Sequence, residues 1–154
     1  ILTACEYYRS ICHAEIDKTP EPIKVISGRH QNPSGCWSFE AVFTKQAQPD
    51  FQGTIDGGRS VVFEAKATDK DRILQSAVTE EQAHAMQSHA QKGALVFVLV
   101  CLRRRAVYRV PWEVWWRMRQ HFGHKYMTAK ELEPYRVQMR RGVILFLGDP
   151  GEDA

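Results

Sequence analysis

No stretch of this 154-residue chain approaches the roughly 20 consecutive apolar residues that a helix needs to cross a bilayer. No secretory leader pattern opens it either, so a membrane role is set aside and a cytoplasmic location is expected. Its four cysteines, Cys5, Cys12, Cys36 and Cys101, include no Cys-x-x-Cys pair. Free thiols in a reducing compartment are therefore expected rather than a disulfide framework. Histidines offer little more: His84 and His89 are five apart and diverge on a helix, and His121 and His124 lie around Gly123 with no third ligand in view, which argues against zinc. Also absent are a Gly-x-x-x-x-Gly-Lys phosphate loop, a Gly-x-Ser-x-Gly elbow and any internal repeat. Nucleoside-triphosphate hydrolysis, serine esterase chemistry and solenoid architectures lose their usual signals.

What is present suits one soluble globular core, with 44% apolar and 25% charged residues. Charge is unevenly distributed. Residues 101–141 hold eleven Lys or Arg against three acids, whereas residues 1–100 hold ten against twelve. Arg103, Arg104 and Arg105 sit between two predicted strands, and Arg117, Arg119, Arg136, Arg140 and Arg141 follow among aromatics. Such a surplus suits contact with a phosphate backbone, and also suits an ordinary solvated face.

The pattern along the chain is α/β. Residues 2–13 read as the end of a helix with Cys5 and Cys12 on one side, and 14–18 as a short extended piece. Thr19-Pro20-Glu21-Pro22 forbids helix. Strands are expected at 23–27 and 37–44, the second placing Trp37, Phe39, Ala41 and Phe43 on one face. Residues 28–35 between them, with Arg29 and His30, read as an exposed hairpin tip. Thr79-Glu80-Glu81-Gln82 has capping-box spacing, predicting a helix from 80 to about 91 that Gly93 ends. The apolar run 94–101 reads as a strand buried on both faces, paired with 106–110. Pro111 suits the first turn of a helix reaching about residue 120. Trp112, Trp115, Trp116 and Phe122 are expected to be packing surface. Thr128 caps another helix, 143–147 form a last strand, and 148–154 fray.

The chemistry concentrates on one predicted hairpin. Runs 51–55 and 60–67 flank Asp56-Gly57-Gly58-Arg59, which can supply the positive φ of a tight reversal. A reversal centred on Gly57 sets Asp50 opposite Glu64, with Cβ atoms roughly 4.5–5.5 Å apart. Two carboxylates at that separation can share a divalent cation. Lys66, two residues on, shares the face of Glu64, while Phe63, Ala65 and Ala67 turn the other way. Hard oxygen donors beside a lysine suit Mg²⁺, with Mn²⁺ as a substitute, and phosphodiester hydrolysis. Gln82, in the first turn of its helix, is open to either a capping or an active-site role.

The run Asp50-Phe51-Gln52-Gly53, Gly58-Arg59, Phe63-Glu64-Ala65-Lys66 and Glu81-Gln82, followed by the apolar strand 93–100, resembles the RecU family of Holliday-junction resolvases within the PD-(D/E)XK nuclease superfamily. Tyr7-Tyr8, Asp17-Lys18-Thr19-Pro20 and Pro22-Ile23-Lys24-Val25 resemble that family's N-terminal segment. Pro49 stands where the family usually has Thr, and Glu81 where it has His. The chain opens at Ile1, so the family's Asn-Arg-Gly segment and helical Glu are expected to be missing.

The resemblance implies a restriction-endonuclease-like core: a mixed central sheet flanked by helices in a single domain over 1–147, with a projecting hairpin stalk at about 27–38. It implies Asp50, Glu64 and the Ala65 carbonyl as metal ligands, Lys66 as the catalytic lysine, and Gln82 as an accessory group. Arg29 and His30 of the stalk, with Lys45, Arg59 and Arg103–Arg105, are the expected DNA contacts. The implied substrate is a four-way DNA junction, nicked symmetrically by a two-fold homodimer in recombination and repair. Two rivals stay open, a duplex-cutting relative and a non-catalytic binder of branched DNA.

Overall fold

The computed structural model describes residues 1–43 and 48–148. In chain order its elements are α1 (Leu2–Ser10), β1 (Ala14–Lys18), β2 (Ile23–Val25), β3 (His30–Gln31), β4 (Trp37–Ser38), β5 (Ala41–Phe43), β6 (Phe51–Ile55), β7 (Ser60–Thr68), β8 (Arg72–Leu74), α2 (Glu80–Gln91), β9 (Leu95–Leu102), β10 (Ala106–Pro111), α3 (Trp112–Trp116), α4 (Met118–Phe122), β11 (Tyr126–Thr128), α5 (Ala129–Leu132), β12 (Met139–Arg140) and β13 (Val143–Ile144).

Five strands form the central sheet in the order β1-β6-β7-β9-β10. Neighbours are antiparallel except β7 and β9, which run parallel across the crossover that contains α2. Strand β7 is thus central and covered on both sides. Val62 and Glu64 face a core built with Met86, Val98, Trp112, Trp115 and Met118. Val61 and Phe63 face the opposite core with Tyr8, Ile16, Phe97 and Phe146. Phe51, Phe63 and Phe97 stack in series across three strands, with centroid separations of 4.8 Å at each step. Tyr8, fully buried, closes that second core by accepting from the Leu147 N–H at 2.9 Å.

Gly53 lets β1 approach β6. A Cβ there would lie 2.0 Å from the Glu15 carbonyl oxygen, backbone that cannot step aside. The predicted extended piece 14–18 is therefore an edge strand of the main sheet. Among the described residues, no helix is long and apolar enough to cross a membrane.

Several elements differ from the sequence reading. The helix expected from 111 to about 120 is two short ones, broken at Arg117 (φ −98°, ψ 27°). The Gln75 side-chain amide donates to the Trp115 and Trp116 carbonyls at 2.7 and 3.1 Å, so a group from outside satisfies the end of α3 and nothing compels it to continue. The first helix stops at Ser10; Cys5 is buried and Cys12 exposed in the following turn, so the two do not share a helix side.

The strand expected at 37–44 is split into β4 and β5, and that at 23–27 ends at Val25. Val25 pairs with Ala41 but His30 with Ser38, so the first leg of this arm carries two more residues than the second. That excess bulges at 26–29 and breaks both strands. The tip itself is narrower than 28–35: the Asn32 side chain accepts from the Cys36 N–H at 2.8 Å and closes the turn. Strand β13 covers only two of the residues 143–147, because Leu145 and Phe146 leave the ladder to fill the core. Thr44 and 149–154 lie outside the described residues.

Candidate active site

Gly57 and Gly58 take φ of +81° and +80°, turning β6 back into β7 about the expected centre. Phe51 pairs with Phe63 as the last ladder step. One residue further, Asp50 stands opposite Glu64. The Asp50 N–H donates to Glu64 Oε1 at 3.1 Å, and the Ala65 N–H donates to Asp50 Oδ2 at 3.0 Å. Each carboxylate is thus oriented by the other strand's backbone.

Lys66 Nζ lies 2.9 Å from Glu64 Oε2 and donates to Gln82 Oε1 at 3.2 Å. Gln82 Nε2 donates to Glu64 Oε2 at 2.8 Å. The same Gln82 Oε1 accepts from the Thr79 N–H at 3.1 Å, while Thr79 Oγ1 accepts from the Gln82 N–H at 3.3 Å. The Gln82 side chain therefore caps α2 and contacts Glu64 and Lys66 at once. Capping fixes its oxygen toward two N–H donors, which leaves its amide hydrogens to face Glu64. An ammonium has three hydrogens, and Lys66 spends two on Glu64 and Gln82. With its side chain 20% exposed, the third can reach an incoming group.

Glu64 is the one charged side chain that is fully buried among the described residues. Its carboxyl is pushed up to about 7, by burial first, with the negative charge of Asp50 adding to the rise and Lys66 opposing it. A buried acid raised in this way beside a second carboxylate is poised to exchange its proton for a cation.

Thr19 is a member of this row that sequence reasoning missed. Its N–H donates to the Asp50 carbonyl at 2.9 Å, continuing the β1–β6 register beyond Lys18–Phe51. Alternation then puts its side chain on the face of Asp50 and Glu64. Its hydroxyl oxygen is buried and without a hydrogen-bond partner among the described residues. An orphaned hydroxyl beside two carboxylates marks a place for one more group. Among the described residues no three His, Cys, Asp or Glu side chains gather. The donors at the hairpin are hard oxygens only: two carboxylates, the Ala65 carbonyl and the Thr19 hydroxyl, a set that fits Mg²⁺ or Mn²⁺.

The expected DNA contacts scatter. Arg103 and Arg104 lie in the β9–β10 turn, at the same end of the sheet as Lys66, and the Arg103 N–H donates to the Thr68 carbonyl at 2.7 Å. Arg103 pairs with Asp71, and Arg104 sits 3.7 Å from Asp69. Arg105 follows in that turn. Arg59 is not brought to the site. It lies at the turn end of β7, roughly 16 Å along the strand from Glu64, where its Nε donates to the Gly93 carbonyl. Arg29 and His30 are exposed on the arm, below its tip. Lys45 lies outside the described residues.

A mixed five-stranded sheet with helices on both faces is the restriction-endonuclease-like architecture, and a solved structure agrees. The 1.6 Å structure of Hjc from Archaeoglobus fulgidus, described as a Holliday junction resolvase from an archaeal hyperthermophile, superposes with a TM-score of 0.50 at 12% identity, covering 86% of this chain and 88% of that one. The chain belongs to the RecU family, whose model, described as Recombination protein U, matches residues 1–147. The Holliday junction resolvase RecU of Staphylococcus carnosus (strain TM300) is 31% identical over 147 residues, 88% of this chain and 70% of that protein.

Proposed function

We propose that this protein is an endodeoxyribonuclease that resolves four-way DNA junctions, and that it depends on Mg²⁺ or Mn²⁺ held by Asp50, Glu64 and the Ala65 carbonyl. The observation that carries the reading is the convergence of Asp50, Glu64, Lys66 and Gln82 through hydrogen bonds of 2.8 to 3.2 Å. Binding DNA alone requires no buried acid, no opposed second acid and no lysine paired with the buried one. The names of the Staphylococcus carnosus relative and the Archaeoglobus fulgidus neighbour support the same substrate.

When bound, such a cation supplies charge neutralisation at the scissile phosphate and a water of lowered pKa. The protein's own residues do the rest. Asp50 and Glu64 are held by opposite strands, so their separation is set by the ladder. Gln82 fixes the Glu64 carboxylate and the Lys66 ammonium at once. Lys66 offers its remaining hydrogen to the attacking water or to negative charge developing on the phosphate. The Arg103–Arg105 turn, at the same sheet end, takes a neighbouring arm of the DNA, and Arg29 and His30 take the crossover. Symmetric nicks need two sites, hence a two-fold homodimer. Trp37 and Phe39, 65% and 45% exposed on the arm, and Leu2 on α1 support an interface there.

Thr19→Val tests the metal set apart from turnover. The change removes a buried hydroxyl that has no partner among the described residues, so stability is expected to hold or rise by about 1 kcal/mol. Mn²⁺ affinity, measured by calorimetry without DNA, is expected to fall several-fold; unchanged affinity would take Thr19 out of the site. The function itself is tested on an end-labelled four-way junction and a linear duplex of the same arm sequence, with Mg²⁺ or EDTA. Metal-dependent paired nicks in the junction alone support the reading. Equal cutting of the duplex points to a general nuclease, and tight junction binding without cutting to a non-catalytic binder.

A further inference from the structure

Beside the carboxylates, across the first turn of α2, lies a cleft of about 1010 Å³ bounded by the turn after β8 and by α3 and α4. Trp112 and Trp115 are buried in its floor as packing residues, but Trp116 is 43% exposed and Leu74 48%. The walls are held in place by the Gln75 amide on the end of α3, and by the Gln75 N–H on the Lys125 carbonyl at 2.9 Å. The cleft is therefore preformed. Its rim carries Arg117, Arg119 and Lys125 against a single acid, Glu80. Arg117 is paired with Glu113, whereas Arg119 and Lys125 have no ion-pair partner among the described residues.

The cleft adjoins the site through one residue. Thr79 lines the cleft, and its N–H shares with Lys66 the oxygen of Gln82. A strand with one phosphate at Lys66 would enter the cleft by crossing Thr79 at the first turn of α2. Stacked duplex bases cannot enter an apolar slot, but bases freed at a point of strand exchange can, and an exposed indole with cations around it is the arrangement that binds single strands.

We propose that this cleft receives unpaired bases of the strand being cut, stacked on Trp116, with the flanking phosphates against Arg119 and Lys125. The proposal rests on the nuclease reading for its substrate. Charge favours a nucleic acid over a protein segment, because the rim carries three cations against one acid.

The test titrates a labelled short oligothymidylate, and the same strand with every base replaced by an abasic site, by fluorescence anisotropy in EDTA so that cleavage plays no part. The wild type is expected to bind the thymidylate about tenfold tighter than the abasic strand. Trp116→Ala is expected to bring the two together, Trp116→Tyr to retain most of the difference, and the uncharged Leu74→Ser, at an exposed position that leaves the core untouched, to weaken the thymidylate more than the abasic strand. Equal wild-type affinity for the two strands, or thymidylate binding unchanged in Trp116→Ala, overturns the proposal and leaves the cleft to a protein partner. A junction left uncut in Mg²⁺ by a protein that still prefers the thymidylate sinks the nuclease reading and keeps the cleft as a site for unpaired bases, no longer those of a cut strand.

Discussion

Lys66→Ala is expected to slow junction cleavage by about 10³-fold, the scale seen when one preorganised donor is removed from a developing oxyanion. Folding should survive. Losing the ammonium raises the Glu64 carboxyl further, and a protonated Glu64 still accepts from the Asp50 N–H and from Gln82. Gln82 separates two effects within the same network. Gln82→Ala removes the side-chain half of the capping box, the bond from the Thr79 N–H, and is expected to lower stability by about 1 kcal/mol as well as slow cleavage. Gln82→Glu keeps an acceptor for the Thr79 N–H, so the cap persists, but it cannot donate to Glu64 and sets a third carboxylate against it. Cleavage is then expected to fall as far as in Gln82→Ala with the cap intact. Single-turnover rates on a labelled junction, with helix content and melting followed alongside, decide this. A Lys66→Ala enzyme within tenfold of wild type would remove the lysine from the chemistry.

The second large effect is on stability. Glu64 ionises near 4.5 in the unfolded chain and at about 7 when folded, because it is buried. Between those values the folded protein holds a proton that the unfolded chain has released. Stability from this group is thus complete below pH 4.5, declines by about 1.4 kcal/mol per pH unit across the window, and is lost above pH 7, about 3 kcal/mol in all. Urea denaturation of metal-free protein at about pH 5 and about pH 8 measures the fall. Glu64→Gln, which cannot titrate, is expected to flatten this contribution whatever its absolute stability. Saturating Mg²⁺ at the higher pH is expected to restore the wild type, since a ligand of the folded state stabilises by mass action. A wild type equally stable at both pH values would mean that Glu64 keeps its charge without a metal.

The hairpin was legible in the sequence because its signals are local. Gly57 and Gly58 are needed at positive φ, and once the reversal is centred there, alternation places Asp50, Glu64 and Lys66 without further assumption. The capping box at Thr79 set the start of α2 in the same way, and the apolar run 94–101 has the length and content of a doubly covered strand. What escaped depends on partners distant in the chain. The break at Arg117 follows from Gln75, some forty residues away. Thr19 looks like an ordinary residue before a proline until β1 is known to extend the main sheet. The arm lost its register because its strand residues from Ile23 to Val42 are exposed, and an exposed ladder has no hydrophobic pattern to hold it in step. Arg103 and Arg104 read as free cations, since pairing with Asp71 and Asp69 depends on how β7 exits the sheet.

Strand β7 is the third of five, hydrogen-bonded on both edges and covered on both faces. Glu64 and Lys66 therefore belong to the part of the protein that opens last. Their amides are expected to exchange with solvent only through complete unfolding, alongside Phe63 and Phe97, while the arm and the Arg103–Arg105 turn exchange through local fluctuation. Rigidity and mobility are divided along the chain, so that the groups that must stay aligned for the cut ride on the slowest-opening strand, and those that meet a flexible, branched polymer ride on segments free to adapt to it.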